Sequence, residues 1–130
     1  AGCVTLQHDP NFVAFVNSEL DRLGVLAPNW DSYNAPAIDP NIIASARRFV
    51  SELPEGLASR PRVVPMSPGN LQLEWHQGEK ILELEFETPE LIHFLQWQPE
   101  VGIEEEDVFP AGDVERAASL IRWFMNGTNA

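Results

Sequence analysis

The stretch LQLEWHQGEKILELEFE, residues 71–87, decides the fold of this chain. Apolar and polar side chains alternate over residues 71–76 and again over 82–87, and Gln77-Gly78-Glu79 connects the two runs. A period of two is typical of a half-buried strand, and two such runs joined by a short turn are typical of an antiparallel hairpin. We therefore expect a hairpin with an apolar inner face and an acidic outer face. The residues expected inside are Leu73, Trp75, Leu84 and Phe86, and those expected in water are Glu74, Glu83 and Glu85.

Three further strands are expected around this hairpin. Runs rich in apolar residues at 62–66, 91–97 and 101–109 predict them, and Ser67-Pro68-Gly69-Asn70 predicts a turn after the first. Because these strands follow one another through short connections, residues 62–109 are expected to form an antiparallel meander.

Helical periodicity predicts three helices, at residues 9–24, 39–53 and 113–126. Each begins with an aspartate that can cap the first amides, and a proline follows the first two aspartates. The expected caps are Asp9-Pro10, Asp39-Pro40 and Asp113, and the expected ends are Gly24, Pro54 and Gly127. The expected apolar faces are Phe12, Val16, Leu20 and Leu23; Ile42, Ala46, Phe49 and Leu53; and Val114, Ala117, Ile121 and Phe124.

These elements predict one α+β domain over residues 1–130, in the order α-α-β-β-β-β-β-α. One antiparallel sheet of about five strands would carry the helices mainly on one face. Residues 1–8 are expected to form a flexible N-terminal segment.

Composition narrows the class of protein. A chain of 130 residues with 44% hydrophobic residues can bury the core of one domain, and it contains no apolar run long enough for a membrane span. A net charge of −12 argues against direct nucleic-acid binding, and the single cysteine, Cys3, excludes an internal disulfide. Ala1-Gly2-Cys3 resembles the end of a lipoprotein cleavage site, but no basic and apolar stretch precedes it, so a cytoplasmic location is expected.

The negative charge is concentrated in the second half of the chain, where residues 63–130 carry a net −10. Glutamates on the outward face of the hairpin favour one of two interpretations: a solvated face that keeps the chain soluble, or a docking face for a basic protein partner. The candidates for this face are Glu74, Glu83, Glu85 and Glu87.

Two histidines could join these carboxylates in a metal site. His76 follows Glu74 on one strand, and His93 lies near Glu90. The chain has no metal-binding or nucleophile motif of defined spacing, so we expect no catalytic site and no cofactor.

The aromatic residues divide between core and surface. Trp75 and Trp123 are expected in the core. Trp30 and Tyr33 lie in a proline-flanked loop, where they could pin the loop to the core, with Asp31 accepting backbone amides, or form a binding lip. Trp97 ends the strand 91–97 and is a third candidate for contact with a partner.

The strand 91–97 is apolar on both faces, which predicts self-association as a twofold dimer. Either a helix of the chain covers its second face or another chain does. The residues concerned are Leu91, Ile92, Phe94, Leu95 and Trp97.

Three segments resemble a family of small uncharacterised bacterial proteins: Asn29-Trp30-Asp31-Ser32-Tyr33-Asn34-Ala35, then Val64-Pro65-Met66-Ser67-Pro68-Gly69-Asn70-Leu71-Gln72-Leu73-Glu74-Trp75, and Leu82-Glu83-Leu84-Glu85-Phe86. That family pairs a W-D-x-Y-x-A loop before a helix with a P-S-x-G-x-[IL]-x-L-E-W strand and an acidic L-E-[IL]-E strand. Here Asn34 stands where glycine would be expected from the family. The resemblance implies a bacterial origin and a single fold, and it assigns no activity.

Three functions remain open at this point. The first is a non-catalytic, acidic protein-interaction module, as the regulatory or neutralising member of a bacterial gene pair. The second is a nucleic-acid mimic that inhibits a DNA-binding protein, and the third is a metal-dependent or acid–base enzyme.

Overall fold

A computed structural model describes residues 11–57 and 59–126 of the chain. These residues form an α+β fold with the expected order of three helices and one five-stranded antiparallel sheet. The helices are α1 (Phe12–Gly24), α2 (Pro40–Glu52) and α3 (Val114–Asn126). The strands are β1 (Arg62–Met66), β2 (Asn70–Gln77), β3 (Lys80–Thr88), β4 (Leu91–Gln98) and β5 (Ile103–Pro110).

The sheet is a meander in which each strand pairs with the next along the chain. In the β2–β3 hairpin, Leu73 lies opposite Leu84 and Glu74 lies opposite Glu83. Leu73, Trp75, Leu84 and Phe86 are at most 2% exposed, so the predicted inner face is confirmed. The buried indole of Trp75 donates its N–H to the carbonyl of Ser59 at 2.8 Å, which satisfies its one polar group.

The described helices pack on this inner face. Phe49 of α2 meets Phe86 of β3 edge to face with ring centroids 5.3 Å apart, and the guanidinium of Arg116 in α3 lies 5.1 Å from the ring centroid of Phe94. Arg22 of α1 donates to the carbonyl of Val63 in β1 at 3.3 Å. The opposite face of the sheet has no helix from the described residues packed on it.

The starts of α2 and α3 follow the sequence signals, whereas α1 begins at Phe12 with Asn11 as its N-cap, later than the start expected at Asp9-Pro10. The Asp39 carboxylate accepts from the Asn41 amide at 2.8 Å with Pro40 at the first helical position, and Asp113 accepts from the Arg116 amide at 3.2 Å. The predicted apolar faces are buried except for Leu53 and Val114, which are half-buried. Asp9, Pro10, Gly127, Cys3 and the expected flexible segment 1–8 lie outside the described residues.

The start of the last strand differs from the prediction. Residues Pro99–Val101 form a 3₁₀ turn that ends at Gly102 with φ 77°, and β5 begins only at Ile103. The apolar Val101 favoured a strand, but the proline before it and the left-handed glycine after it hold a turn there.

Lys80 lies on the inner face at the start of β3 and is 3% exposed. Its ammonium donates to the carbonyls of Trp123 at 2.9 Å and Phe124 at 2.8 Å, at the C-terminal end of α3. A cation at this end of a helix satisfies carbonyls without an intrahelical partner and complements the helix dipole. Burial nevertheless lowers the pKa of Lys80 below 10.5, because removal from water disfavours the charged form.

The Leu84→Ala variant should lower the free energy of unfolding by about 2–5 kcal/mol, because it opens a cavity in the core. The matched variant Leu95→Ala, on the opposite face and half-buried, should lose less than about 1.5 kcal/mol. Urea denaturation measures both, and equal losses would contradict the assignment of the two faces.

The Lys80→Ala variant should lower the free energy of unfolding by about 1.5–3 kcal/mol, because two charge-assisted hydrogen bonds to α3 are lost. Arg122→Ala, on the exposed side of the same helix, should change it by less than about 0.5 kcal/mol. Since the folded-state pKa of Lys80 lies below its unfolded value, the unfolded chain binds more protons between the two values. The advantage of the parent protein over Lys80→Ala should therefore grow as the pH rises toward 10.5, and a shrinking advantage would contradict this sign.

Candidate functional site on the open face of the sheet

We call the sheet face away from the helices the open face. The pairing register places nineteen of the described side chains on it. They are Arg62, Val64 and Met66 of β1; Asn70, Gln72, Glu74 and His76 of β2; Ile81, Glu83, Glu85 and Thr88 of β3; Leu91, His93, Leu95 and Trp97 of β4; and Glu104, Glu106, Val108 and Pro110 of β5. Glu87, at the irregularity between Phe86 and Thr88, joins this face because its carboxylate lies within 4.8 Å of ligand atoms of Glu85 and His93.

The open face is strongly acidic. Six of its side chains are glutamates, against one arginine, Arg62, whose Nη1 lies 3.6 Å from Oε1 of Glu74. Glu74 and Glu83 lie directly opposite each other, where Cβ atoms are about 5 Å apart and like charges repel. The arrangement is therefore electrostatically unfavourable to the isolated chain.

The prediction that Glu74 and Glu83 face water needs a correction in degree. Both lie away from the core, but their side chains are only 13% and 26% exposed. Neighbouring polar groups cover them: Gln72 Nε2 donates to Glu74 Oε2 at 2.8 Å, and His76 Nε2 lies 3.3 Å from Glu83 Oε2. Glu85 is likewise half-buried and accepts from Asn70 Nδ2 at 3.3 Å, whereas Glu87 is exposed.

Both histidines lie beside glutamates on this face. One ligand atom from each of Glu74, His76 and Glu83 lies within 4.8 Å of the others, and the same holds for Glu85, Glu87 and His93. An imidazole with two carboxylates suits zinc or manganese. In the first group, however, Glu74 already pairs with Arg62, and that cation would compete with a metal ion.

Apolar side chains interrupt the acidic surface. Ile81 lies opposite Trp97, and Leu95 lies opposite Glu83; all three apolar residues are half-buried. They form a patch at the end of the sheet where β2 finishes and β3 begins.

The strand predicted to be apolar on both faces is divided by the sheet. Ile92 and Phe94 point to the helices and are 0% exposed, whereas Leu91, Leu95 and Trp97 lie half-buried on the open face. The chain's own helices thus cover one side of β4 and, among the described residues, no helix covers the other. Dimerisation through this strand stays a prediction.

Trp30 and Tyr33 have separate roles in their loop. The Trp30 indole donates to the carbonyl of Pro36 at 2.8 Å, which ties the two ends of the loop together, whereas Tyr33 is 86% exposed. Asp31 Oδ1 accepts from the amides of Tyr33 at 2.8 Å and Ala35 at 3.1 Å, as expected from the sequence. Asn34 has φ 67°, in the left-handed region that favours glycine and tolerates asparagine.

This loop packs against the β1–β2 turn. The Asp39 amide donates to the carbonyl of Gly69 at 3.0 Å. Gly69 has φ 112°, and a Cβ there would lie 3.2 Å from the Ala37 carbonyl oxygen, so a side chain would strain both the backbone and the contact. The residues that follow the Trp30 loop therefore contact the β1–β2 turn and anchor the start of α2 to the sheet.

The structure does not bring all the predicted contact residues together. The Trp30–Tyr33 loop meets the sheet at the Gly69 turn, where β2 begins, whereas Trp97 lies across the sheet from His76, near the end of β2. Six residues of strand separate these ends, about 20 Å. The open face around Trp97 gains instead Ile81, Glu104 and Glu106, which sequence reasoning did not single out. The acidic run 104–107 was the available signal, but because all four residues are acidic, the choice of which ones face the open side depended on the 3₁₀ turn before β5.

Comparison of the chain with models of protein families, with curated proteins and with solved structures finds no match. In the part of the chain that the structure describes, every helix is too short or too polar to cross a membrane.

The Glu83→Gln variant should raise the free energy of unfolding by about 0.2–1 kcal/mol at low salt, because it removes the repulsion across the Glu74–Glu83 pair. The gain should shrink near 1 M salt, where screening acts over about 3 Å. Glu55→Gln, in an exposed turn, is the matched control, and its free energy of unfolding should stay close to that of the parent protein. A loss of stability in Glu83→Gln at low salt would show that this carboxylate supports the fold.

Proposed function

We propose that this chain is a non-catalytic protein-interaction module that binds a basic protein partner through the open face of its sheet. In this proposal it acts as the regulatory or neutralising member of a bacterial gene pair. The observation that carries the proposal is the composition of the open face, which bears six glutamates and one arginine together with a half-buried apolar patch of Ile81, Leu95 and Trp97.

The mixture of charge and apolar surface supports a protein partner. Interfaces combine apolar anchors, among which tryptophan is enriched, with polar groups around them. A field of one sign steers a partner of opposite charge and raises the rate of encounter. Glutamates alone would keep this face soluble, whereas the partly exposed apolar side chains of Trp97 and Leu95 add nothing to solubility.

The edges of the sheet favour binding by the face over addition of a strand. The β5 edge carries Glu104, Glu105, Glu106 and Asp107 in succession, and the β1 edge contains Pro65, which cannot donate a backbone hydrogen bond. Charge and proline are the usual protections of an edge strand against pairing with another chain. A partner therefore has the open face as its accessible surface on the sheet.

A nucleic-acid mimic is the second candidate, and one observation favours it. Glu83 and Glu85 project from one face of β3 two residues apart, about 6.7 Å at the backbone, and a carboxylate oxygen of Glu87 lies within 4.8 Å of one of Glu85. The apolar patch beside them has no counterpart in a phosphate backbone, and this favours the broader proposal of a basic protein partner.

Affinity capture from an extract of the source organism tests the proposal. The bait is compared with a Glu83→Gln/Glu85→Gln variant and with a Glu55→Gln/Glu115→Gln control, which removes the same charge elsewhere. We expect the parent and the control to retain a basic protein, identified by mass spectrometry, and the open-face variant to retain at least tenfold less, a loss of about 1.4 kcal/mol.

Salt provides the second criterion. Retention through an acidic face should fall steeply between 0.05 and about 0.5 M salt, because the exposed charges are screened. Equal retention by all three baits, or retention of a metal or small molecule alone, would contradict the proposal. A retained protein that itself binds DNA and is released by competing duplex would favour the mimic.

A further inference from the structure

We infer that the groove between β4 and β5 on the open face binds an arginine side chain of the protein partner. The inference rests on the proposed function and specifies the chemistry of the partner at one place. The groove has a volume of about 370 Å³ and is lined by Leu95, Trp97, Glu104, Glu105 and Glu106.

Two apolar side chains, Leu95 and Trp97, line the groove. Trp97 lies opposite Glu104 and Leu95 lies opposite Glu106, so each apolar side chain has a carboxylate directly across the strand pair. The indole offers a π-face on which a guanidinium can stack, and Leu95 offers contact to the methylene stem of the same side chain.

The rim of the groove supplies acceptors. Glu104 and Glu106 are exposed, project from the same face two residues apart on β5, and lie about 6.8 Å from each other at the backbone. Each carboxylate can accept a forked pair of hydrogen bonds from a guanidinium. Among the described residues, the His93 imidazole lies beside this rim, with its Nε2 3.8 Å from Oε1 of Glu106.

The arginine on the open face of this chain cannot fill the groove. Arg62 lies on β1 in the row that runs through Glu74, Glu83 and Leu95 to Glu106. Strands are about 4.8 Å apart, so three intervals place Arg62 about 14 Å from Leu95, and its guanidinium lies beside Glu74. The acidic rim is thus complementary to a cation from another molecule.

Arginine fits this site better than lysine. A guanidinium is planar, stacks on aromatic rings and forms forked contacts with carboxylates, whereas an ammonium is a strongly hydrated point charge. A second copy of this chain fits poorly, because each copy carries a charge of −12 and brings another acidic face.

Hexaarginine and hexalysine peptides provide a direct test with the full chain. Isothermal titration calorimetry at low salt should give a dissociation constant about threefold or more lower for hexaarginine than for hexalysine. Trp97→Leu should abolish this preference. Glu104→Gln/Glu106→Gln should raise the dissociation constant for hexaarginine about tenfold. The control Glu55→Gln/Glu115→Gln should raise this dissociation constant less than about twofold, because the two carboxylates that it removes lie outside the groove.

The NMR signal of the Trp97 indole N–H, assigned by its loss in Trp97→Leu, should shift on addition of hexaarginine. Equal affinity for the two peptides, or equal weakening by the groove variant and the control, would overturn the inference. If Glu83→Gln/Glu85→Gln lowers the affinity for hexaarginine and the groove variants do not, the inference about the groove fails. The open face then remains the interaction surface. If sedimentation shows a dimer that Trp97→Leu dissociates and hexaarginine does not, the occupant is a second copy and the inference fails.

Discussion

Burial of one face of the sheet under the helices is the constraint on which the rest of this structure depends. In the β2–β3 hairpin, Leu73 lies opposite Leu84 and Trp75 lies opposite Leu82, all at most 2% exposed. Because side chains alternate with a period of two, a register shift of one residue would expose this set and drive Glu74 and Glu83 into the core. The same alternation therefore fixes the fold and collects the glutamates on the opposite face.

The sequence allowed prediction where the signal was local and repeated. Strict alternation located the hairpin, and Asp39-Pro40 located the start of α2, because capping depends on residues within one turn. The remaining features depend on contacts between distant segments. Burial of Lys80 needs the end of α3 beside it, and the docking of the Trp30 loop needs the carbonyl of Gly69, so neither has a periodic signature. At the candidate site, the glutamates of β2 and β3 were predictable, but the contribution of Glu106 depended on where β5 begins.

The two ends of the sheet differ in the residues that surround them. At the Gly69 end, a loop with three non-glycine residues at positive φ is held by hydrogen bonds from Trp30 and to Asp31, and it anchors α2. Residues in this conformation are unfavourable unless surrounding contacts hold them. The Trp30 indole therefore has a structural role in holding this loop. Tyr33 projects from the same loop at 86% exposure and takes no part in this anchoring.

At the other end, Glu83, Glu104 and Glu106 lie opposite or beside Leu95 and Trp97. A surface that needs only solubility is best served by charges of both signs, since interspersed lysines and glutamates stabilise one another. The open face carries six glutamates and one arginine, and the pair Glu74–Glu83 brings like charges together across adjacent strands. In the proposed complex, a cation from the partner would relieve this repulsion, so the electrostatic energy that opposes folding of the isolated chain would favour binding. The half-buried Leu95 and Trp97 would then supply the apolar contact that holds the two surfaces together after the long-range attraction has brought them close.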